Sequence, residues 1–432
     1  MPPLISDVDD RASLEAGAFA ALRQRGFALF WVSAIVSNVG TWMQNVTVPF
    51  VVYEITGSTG WLFCAVVAGY LPQFIVSPLA GATADRTSRR TVLLVSMALQ
   101  VVMSVGLALL WYGDVRSVSL ILAAVFVSNV AAGYQLISWQ AIVPSLVPRP
   151  ALASAVRLNS VQYVLGRAVG PAVAGFVLAA YGPGVAFAAN AVSFLGVCAV
   201  LGFLSVAEQT KREPTSIYRD LRDGLRYAHS HPVAFQAILN GALVMLFPFA
   251  LVQLAPTLAH DSFRVASAGY AALLVANGIG SMIATGGLTL VGHRFRRSQV
   301  TMAGLVFTAG GAMVIGMTHL LQVGVVGFLL IGLGQSLVSV SLNTALQSQI
   351  PELYRGRVLS LYITGNIGSV PLGTFLLVGL AAFIGIAATA VVIGVLMAAY
   401  TAYAIVRFGG MRGLDSDVVS GVSCQLSGDP AG

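Results

Sequence analysis

Twelve apolar runs, each long enough to cross a membrane as a helix, dominate this sequence of 432 residues. An α-helix needs about 20 residues to cross a hydrocarbon core of ~30 Å. Charged residues make up only 9% of the chain, whereas about 25% is typical of soluble domains. We therefore predict an all-α membrane protein with twelve transmembrane helices. The runs cover residues 27–53, 60–80, 91–111, 117–139, 155–180, 183–206, 232–258, 265–291, 298–318, 322–343, 357–380 and 383–406.

The positive charges predict the orientation. Twenty of the 23 Lys and Arg residues flank the runs on the side that holds both termini, and two, Arg116 and Arg264, lie on the other side. Loops rich in Lys and Arg stay in the cytoplasm. We therefore expect a multi-pass membrane protein, surrounded by the lipid bilayer, with both termini cytoplasmic. The net charge of +7 is explained by this orientation and does not indicate a nucleic-acid partner.

An internal repeat divides the chain. Ser145-Leu-Val-Pro148 before the fifth run matches Ser348-Gln-Ile-Pro351 before the eleventh, which predicts two pseudo-symmetric six-helix bundles. The longest connection alternates apolar and charged residues at helical spacing, which favours an amphipathic surface helix over a solvated linker. The predicted segments are a cytoplasmic N-terminal segment (1–26), the first bundle (27–206), the linker with its helix (207–231), the second bundle (232–408) and a disordered cytoplasmic tail (409–432).

The loop between the second and third runs carries one acid and three arginines. Its pattern resembles the loop-2/3 signature of the major facilitator superfamily, although Ser88 stands where the family usually has Gly. The resemblance implies a gating loop that latches the outward-facing state. A loop that only sets topology would need the arginines alone, and for Arg89 and Arg90 both interpretations stay open. The predicted gating residues are Gly81, Asp85, Arg86, Arg89 and Arg90.

The fifth run contains a second motif, Gly166-Arg-Ala-Val-Gly-Pro-Ala-Val-Ala-Gly175. Gly166, Gly170 and Pro171 resemble the antiporter signature of the same superfamily, and Gly175 lies one place beyond the usual glycine pair. The resemblance implies export rather than uptake. Glycines four residues apart also allow close packing in any membrane helix, so a packing seam is the alternative.

Arg167 lies ~18 Å into the fifth run, near the middle of a ~30 Å core. A cation at that depth costs at least ~2.5 kcal/mol on insertion scales. No Asp or Glu lies in the middle of a run to pair with it. The alternatives are bonds to neutral groups, such as carbonyls freed by Pro171, or contact with an anionic or carbonyl-rich substrate.

A polar stripe on the first run predicts a cavity, because residues at i, i+3, i+4 and i+7 share one helical face. Amides facing lipid cost several kcal/mol each, so this face must line protein or a wet cavity. Interhelical packing is the alternative for each single residue. Together the polar residues predict a site for a bulky, amphipathic small-molecule substrate. The cavity candidates are Asn38, Thr41, Trp42, Asn45, Asn129, Tyr134, Trp139, Arg167, Asn240, Asn277, Gln335 and Asn343.

Several chemistries have no motif in the sequence. GxxxxGK[ST], HExxH and GxSxG are absent, so we expect no ATPase, no enzyme, no cofactor and no metal site. An ion gradient remains as the energy source. Glu54 and Asp85, at the ends of the first and second runs, are the candidates for coupling to protons, because partial burial raises a carboxyl pKa.

The resemblance to the major facilitator superfamily covers about residues 20–408. The segments Leu22–Phe27, Asn38–Gln44 and Tyr53–Gly57 resemble the branch of enterobactin exporters and macrolide efflux proteins. This resemblance implies a monomeric secondary transporter of the bacterial plasma (inner) membrane. It would export a drug-like or siderophore-like molecule by proton antiport. The alternatives are an uptake symporter for a nutrient or lysophospholipid, and a non-transporting membrane sensor or scaffold.

Overall fold

The structure is a computed structural model that describes residues 19–84, 87–204, 217–265, 267–407, 409 and 411–415. Asp85 and Arg86 of the predicted gating loop lie outside the described residues. Within the described part, twelve helices are long and apolar enough to cross a membrane. The prediction of an all-α protein with twelve membrane helices is confirmed.

Each apolar run corresponds to a helical segment, and the longest segments extend beyond the predicted ends. The first six helices are α1 Arg25–Thr56, α2 Thr59–Ala84, α3 Arg89–Tyr112, α4 Val118–Ile142, α5 Leu152–Tyr181 and α6 Pro183–Phe203. The connection contains α7, Ile217–Ser230. The others are α8 Pro232–Val244, α9 Ser267–Val291, α10 Arg297–Gly316, α11 Leu321–Gln349, α12 Glu352–Ile384 and α13 Ile386–Arg407. Short 3-10 turns are Ala20–Arg23, Val143–Leu146, Arg149–Ala151, Gly292–Arg294 and Arg412–Asp415.

The seventh apolar run is not one regular helix. After α8, the chain forms a π-helical turn at Met245–Phe249 and a second one at Leu258–Ser262, with short helical pieces Ala250–Gln253 and Ala255–Thr257 between them. Pro248 and Pro256 lie in this stretch. A proline donates no backbone hydrogen bond and crowds the preceding turn, which accounts for the irregular ladder.

The helices form two compact units. Unit 1 consists of Met1–Pro214 and Gln253–Met282, and unit 2 of Thr215–Val252 and Ile283–Gly432. Unit 1 therefore contains α1 to α6 and also the first part of α9. This division follows packing, whereas the predicted bundles follow the order of the chain.

In unit 1, α1 is the central helix because it packs on both α5 and α6. One apolar cluster of this unit surrounds Phe30, whose ring centroid lies 4.5 Å from that of Trp139. A second cluster, around Val51 and Phe187, fills the opposite end. In unit 2, α10 packs on α11 and α13.

The chain beyond α13 packs on other helices of unit 2. Met411 and Leu414 are fully buried, and the Leu414 carbonyl accepts a hydrogen bond of 2.5 Å from the Gln349 amide. Asp415 accepts hydrogen bonds from the Ser298 backbone N–H at 2.9 Å and from the Ser298 hydroxyl at 2.5 Å. A carboxylate at this position caps the N-terminus of α10. The sequence predicted disorder from residue 409, but residues 411–415 form a buried turn.

Stacked rings hold α7 against the rest of unit 2. The Tyr227 ring lies 3.7 Å from His231 and 4.3 Å from Tyr354, centroid to centroid, in nearly parallel planes. Burial raises the pKa of the Tyr227 phenol, and the neighbouring Tyr354 acts in the same direction. Tyr227 is therefore a neutral packing residue that joins α7 to the start of α12.

Candidate functional site

The glycines of the fifth-run motif let two helices approach α5 closely. A Cβ atom at Gly166 would lie 2.5 Å from the Asn38 Cβ, and one at Gly170 would overlap the Trp42 side chain. On another face, a Cβ at Gly175 would lie 2.7 Å from the Ala271 carbonyl oxygen. The motif therefore allows both α1 and α9 to pack closely on α5 within unit 1. This geometry gives the glycines a packing role, whatever further role they have in transport.

A cation and two aromatic rings lie beside the α1–α5 seam, and we call them the Arg167 cluster: Trp42, Tyr163 and Arg167. Arg167 is half-buried, and its guanidinium carbon lies 5.8 Å from the centre of the Trp42 ring. This distance is at the outer limit of a cation–π contact. The Trp42 and Tyr163 rings meet edge to face, 6.5 Å apart, and Tyr163 is 49% exposed.

Arg167 differs from the other charged residues of the described membrane helices by its depth. Those residues lie within the first or last two turns of their helices, as Arg157 does in α5. Arg167 lies in the middle of the same helix, four residues before Pro171. Pro171 has no N–H, so it does not donate the usual helical hydrogen bond to Arg167. The site thus combines a guanidinium and two ring faces near the middle of α5.

An amide network lies one turn away from the Arg167 cluster. The Asn38 amide donates to Gln162 at 2.6 Å, and the Gln162 amide donates to Asn159 at 3.2 Å. The Trp139 indole N–H also donates to Asn159, at 2.9 Å. The network joins α1, α4 and α5, so Asn38 and Trp139 serve interhelical packing here.

Sequence reasoning missed Asn159, Gln162 and Tyr163 as site residues. The signal was present, because these residues and Gly166 and Arg167 recur at spacings of three and four on α5. Sequence reasoning also missed a second group of bonded polar residues, centred on Gln44 of α1. The side-chain oxygen of Gln44 accepts hydrogen bonds from Ser104 at 3.0 Å and from Asn190 at 2.8 Å. These bonds join α1 to α3 and α6.

The remaining cavity candidates of unit 1 are dispersed. The Thr41 hydroxyl and the Asn129 amide each donate to a carbonyl of their own helix, at 2.9 Å. Asn45 and Tyr134 are half-buried, and Asn277 is 6% exposed. The structure therefore groups Trp42 with Arg167, whereas Thr41 and Asn129 bond within their own helices.

The candidates of unit 2 are buried polar side chains. Asn240 is fully buried, donates to the Gln236 carbonyl at 2.6 Å and accepts from the Tyr400 hydroxyl at 3.0 Å. The side-chain nitrogen of Gln335 is buried without a hydrogen-bond partner among the described residues. Asn343 accepts a hydrogen bond from Gln347 on the same helix.

Arg90 of the predicted gating loop caps a helix. Its guanidinium donates to the carbonyl oxygens of Leu201 at 3.0 Å and of Gly202 at 2.8 Å, in the last turn of α6. A cation at a helix C-terminus satisfies free carbonyls and complements the helix dipole. Arg89 is half-buried, and Gly81 lies near the end of α2. Arg90 therefore joins α3 to α6 within unit 1.

Glu54, the described candidate for proton coupling, is exposed near the end of α1. Among the described residues, no three His, Cys, Asp or Glu side chains lie together in a way that could hold a metal ion.

The sequence family described as "Transmembrane secretion effector" matches residues 16–422. The chain belongs to this family. It is similar to the staphyloferrin A transporter of Staphylococcus aureus, with 25% identity over 370 residues, 85% of this chain and 92% of that protein. It is also similar to the enterobactin exporter EntS of Shigella boydii, with 28% identity over 386 residues, 86% of this chain and 90% of that protein.

Solved structures show the same fold. The fucose:proton symporter FucP of Escherichia coli superimposes with a TM-score of 0.58 at 15% identity, over 88% of this chain and 98% of that chain. The predicted superfamily and fold are therefore confirmed. The chain is a multi-pass inner-membrane transporter of the major facilitator superfamily.

Proposed function

We propose that this transporter exports a bulky amphipathic molecule that carries an anionic or carbonyl-rich group. The Arg167 cluster is the observation that supports this substrate class. A guanidinium binds a carboxylate through two parallel hydrogen bonds, which an ammonium cannot reproduce. The rings of Trp42 and Tyr163 offer apolar faces beside that charge. A substrate with oxygen ligands next to an apolar body fits both features.

The relatives favour a siderophore-like substrate and the outward direction. The two similar transporters named above act on staphyloferrin A and on enterobactin, according to their names. The resemblance of Gly166–Gly175 to the antiporter signature favours export coupled to proton entry. We propose alternating access by proton antiport, with Glu54 and Asp85 as the candidate proton carriers.

The orientation that we propose follows from the charges. Twenty Lys and Arg residues lie on the side of both termini, which supports a cytoplasmic position for that side. The end at which α1 ends and α2 begins, which we call the distal end, then faces the outside. The loop of Asp85 and Arg90 lies on the cytoplasmic side, where we propose that it biases the two transport states.

Transport into inverted membrane vesicles tests direction and coupling together. The probes are radiolabelled, metal-free enterobactin and staphyloferrin A, with the cationic dye ethidium for comparison. In inside-out vesicles with an acidic interior, we expect at least one siderophore to accumulate, ethidium not to accumulate, and a protonophore to abolish accumulation. Cys424 in the tail reports orientation, because an impermeant maleimide should label it in inside-out vesicles and not in right-side-out vesicles.

Three results would contradict the proposal. Accumulation in right-side-out vesicles driven by an inward proton gradient would identify an uptake symporter. Accumulation of ethidium and of neither siderophore would remove the anionic substrate class. Labelling of Cys424 in right-side-out vesicles would reverse the orientation.

A further inference from the structure

Asn159 of α5 lies at the centre of the amide network, where its side-chain oxygen accepts two hydrogen bonds. The Trp139 indole N–H donates to this oxygen at 2.9 Å, and the Gln162 amide donates to it at 3.2 Å. An indole N–H can only donate, so the Asn159 atom that it contacts is the carbonyl oxygen and not the amide nitrogen. The two donors therefore fix the direction of the Asn159 amide group.

The amide nitrogen of Asn159 has a different environment from the oxygen. It carries two hydrogens, yet it donates no hydrogen bond to any residue that the structure describes. Asn159 is half-buried, and its nitrogen is not one of the buried side-chain atoms that lack a partner among the described residues. The nitrogen is therefore accessible, and its N–H groups point away from the network towards space that a ligand can enter.

The network behind Asn159 is held from two other helices. Gln162 is 3% exposed, and its oxygen accepts from the Asn38 amide of α1 at 2.6 Å, so its nitrogen is left to donate to Asn159. The Asn38 amide also donates to the Ala34 carbonyl at 3.1 Å. Trp139 comes from α4 and is 7% exposed. Buried partners of this kind hold a binding side chain in one orientation before the ligand arrives.

Asn159 lies on the same face of α5 as the Arg167 cluster. Asn159, Tyr163 and Arg167 follow one another at intervals of four residues, so they share one side of the helix. At a rise of about 1.5 Å per residue, Asn159 lies about 12 Å along the axis from Arg167, with Tyr163 between them. One row on α5 thus presents an amide donor, an aromatic ring that is 49% exposed and a guanidinium, in that order.

We propose that Asn159 is a second substrate-binding residue, which donates a hydrogen bond to an oxygen-bearing group other than the one that Arg167 binds. The inference rests on the proposed function and narrows its substrate class. The substrate carries two carboxylate or carbonyl groups, separated by on the order of 12 Å, on either side of an apolar body that lies on the Tyr163 ring. Trp139 and Gln162 are positioning residues, because they act through Asn159.

Asn159→Asp separates recognition from packing. The carboxylate has the same shape and still accepts from Trp139 and Gln162, but it has no N–H to donate and it repels an anionic group. We expect thermal unfolding in detergent to stay near the parental value. In the vesicle assay, the half-saturating siderophore concentration should rise at least about tenfold, the effect of losing one hydrogen bond to a charged group. Ser160→Ala, which removes a hydroxyl that bonds the Val156 carbonyl of the same helix, is the control and should change neither quantity.

Protection from labelling supplies a measurement that does not depend on the folding of the Asp variant. The three native cysteines are replaced by Ser, and Asn159→Cys, Tyr163→Cys and Ser160→Cys are then made singly. The probe is metal-free enterobactin or staphyloferrin A, at about ten times its half-saturating concentration, so that the site is free only about one-tenth of the time. We expect about tenfold slower maleimide labelling at positions 159 and 163 in the purified protein. Ser160→Cys, the control, should keep its rate.

The outcomes separate this inference from the proposed function. Parental affinity in a folded Asn159→Asp variant would show that Asn159 serves packing alone. Protection of Tyr163→Cys without protection of Asn159→Cys would also reject the second contact, while the proposed function would stand. If neither siderophore slows the labelling of Tyr163→Cys, the Arg167 cluster does not bind them. The proposed substrate class is then wrong, and the role of Asn159 falls with it.

Discussion

α5 and α12 are corresponding helices of the internal repeat, yet only α5 carries a charge in its middle. Each contains a proline within the helix, Pro171 and Pro371. When the two are aligned on these prolines, Arg167 corresponds to Ile367. Both residues are half-buried. The fold therefore accepts an uncharged side chain at this position, which makes a purely structural need for Arg167 the weaker explanation.

Close packing is what the two helices share. α5 lies against α1 at Gly170 and Trp42, and α12 lies against the π-helical turn after α8 at Gly373 and Leu246. Beside this shared packing, α12 offers Asn366, whose side-chain oxygen is buried without a partner among the described residues. Both copies of the repeat therefore keep a close approach between this helix and its neighbour, whereas only the first copy has a charge in the middle of the helix. We infer that unit 1 carries the charged part of substrate recognition.

The largest effect is expected at Arg167. Arg167→Lys keeps the charge but not the planar fork, and Arg167→Gln removes the charge. We expect both to lower transport at least about tenfold at normal membrane level, since a hydrogen bond to a charged group contributes about 1.5–3 kcal/mol. Transport in proteoliposomes, normalised to folded protein from size-exclusion chromatography, is the measurement. Arg157→Gln, near the start of the same helix and exposed, is the control and should keep the parental rate.

Two results would contradict the proposal that Arg167 recognises the substrate. A parental rate in the Lys variant would reject recognition by the guanidinium fork. Loss of folded protein in both variants would show that Arg167 holds unit 1 together, so that the difference from Ile367 would be structural. Arg167→Ile, which copies the second half of the repeat, should fold and should not transport.

The number and position of the helices were predictable because apolar length is a local property of sequence. The depth of Arg167 in the membrane was predictable for the same reason, since it depends only on the position of Arg167 within its apolar run. The pairing of polar residues was not predictable, because Asn38 with Gln162 depends on which helices face each other. The packing of residues after α8 with α1, where Tyr53 donates to Asp261, was not predictable for the same reason.

The two arginine-rich loops show a further limit of sequence reasoning. The loop before α3 has Asp85 beside its arginines, whereas Gly292–Arg297 before α10 has no acid. In unit 2, Asp415 comes from the chain beyond α13 to cap α10 at Ser298. A partner more than one hundred residues away, in a segment of polar composition, leaves no local pattern that predicts it.

An intermediate effect is expected at the shared glycines. A Cβ at Gly373 would overlap backbone atoms of Leu246, and one at Gly170 would overlap the Trp42 side chain. We expect Gly373→Ala and Gly170→Ala to destabilise the protein by about 1–3 kcal/mol, the usual cost of overpacking. The expected order places Gly373→Ala first, because its Cβ would overlap the Leu246 backbone more deeply than a Cβ at Gly170 would overlap the Trp42 Cβ. Thermal unfolding in detergent measures this effect.

Gly379 of α12 provides the matched control for the glycine variants, since a Cβ there would meet nothing within 4 Å. Gly379→Ala should be as stable as the parent or slightly more stable, because Ala favours the helix. If Gly170→Ala is as stable as Gly379→Ala, α1 does not approach α5 as closely as this structure shows. The packing that the two helices share would then exist only in unit 2.

The smallest effect is expected at a neutral polar pair of unit 2. Tyr400→Phe removes the hydroxyl that donates to Asn240 and leaves the ring in place. Bonds of this kind between membrane helices contribute about 0.6 kcal/mol on average and about 1.7 kcal/mol at most. We therefore expect a small loss in unfolding free energy and no change in transport rate.

Tyr112→Phe, 64% exposed at the end of α3, is the control and should change neither quantity. Because Asn240 would keep its bond to the Gln236 carbonyl, its orientation should survive the substitution. A loss of transport in Tyr400→Phe comparable to that in Arg167→Lys would show that neutral pairs of unit 2 take part in substrate recognition or coupling, and the contrast between a charged and an uncharged half would no longer explain function.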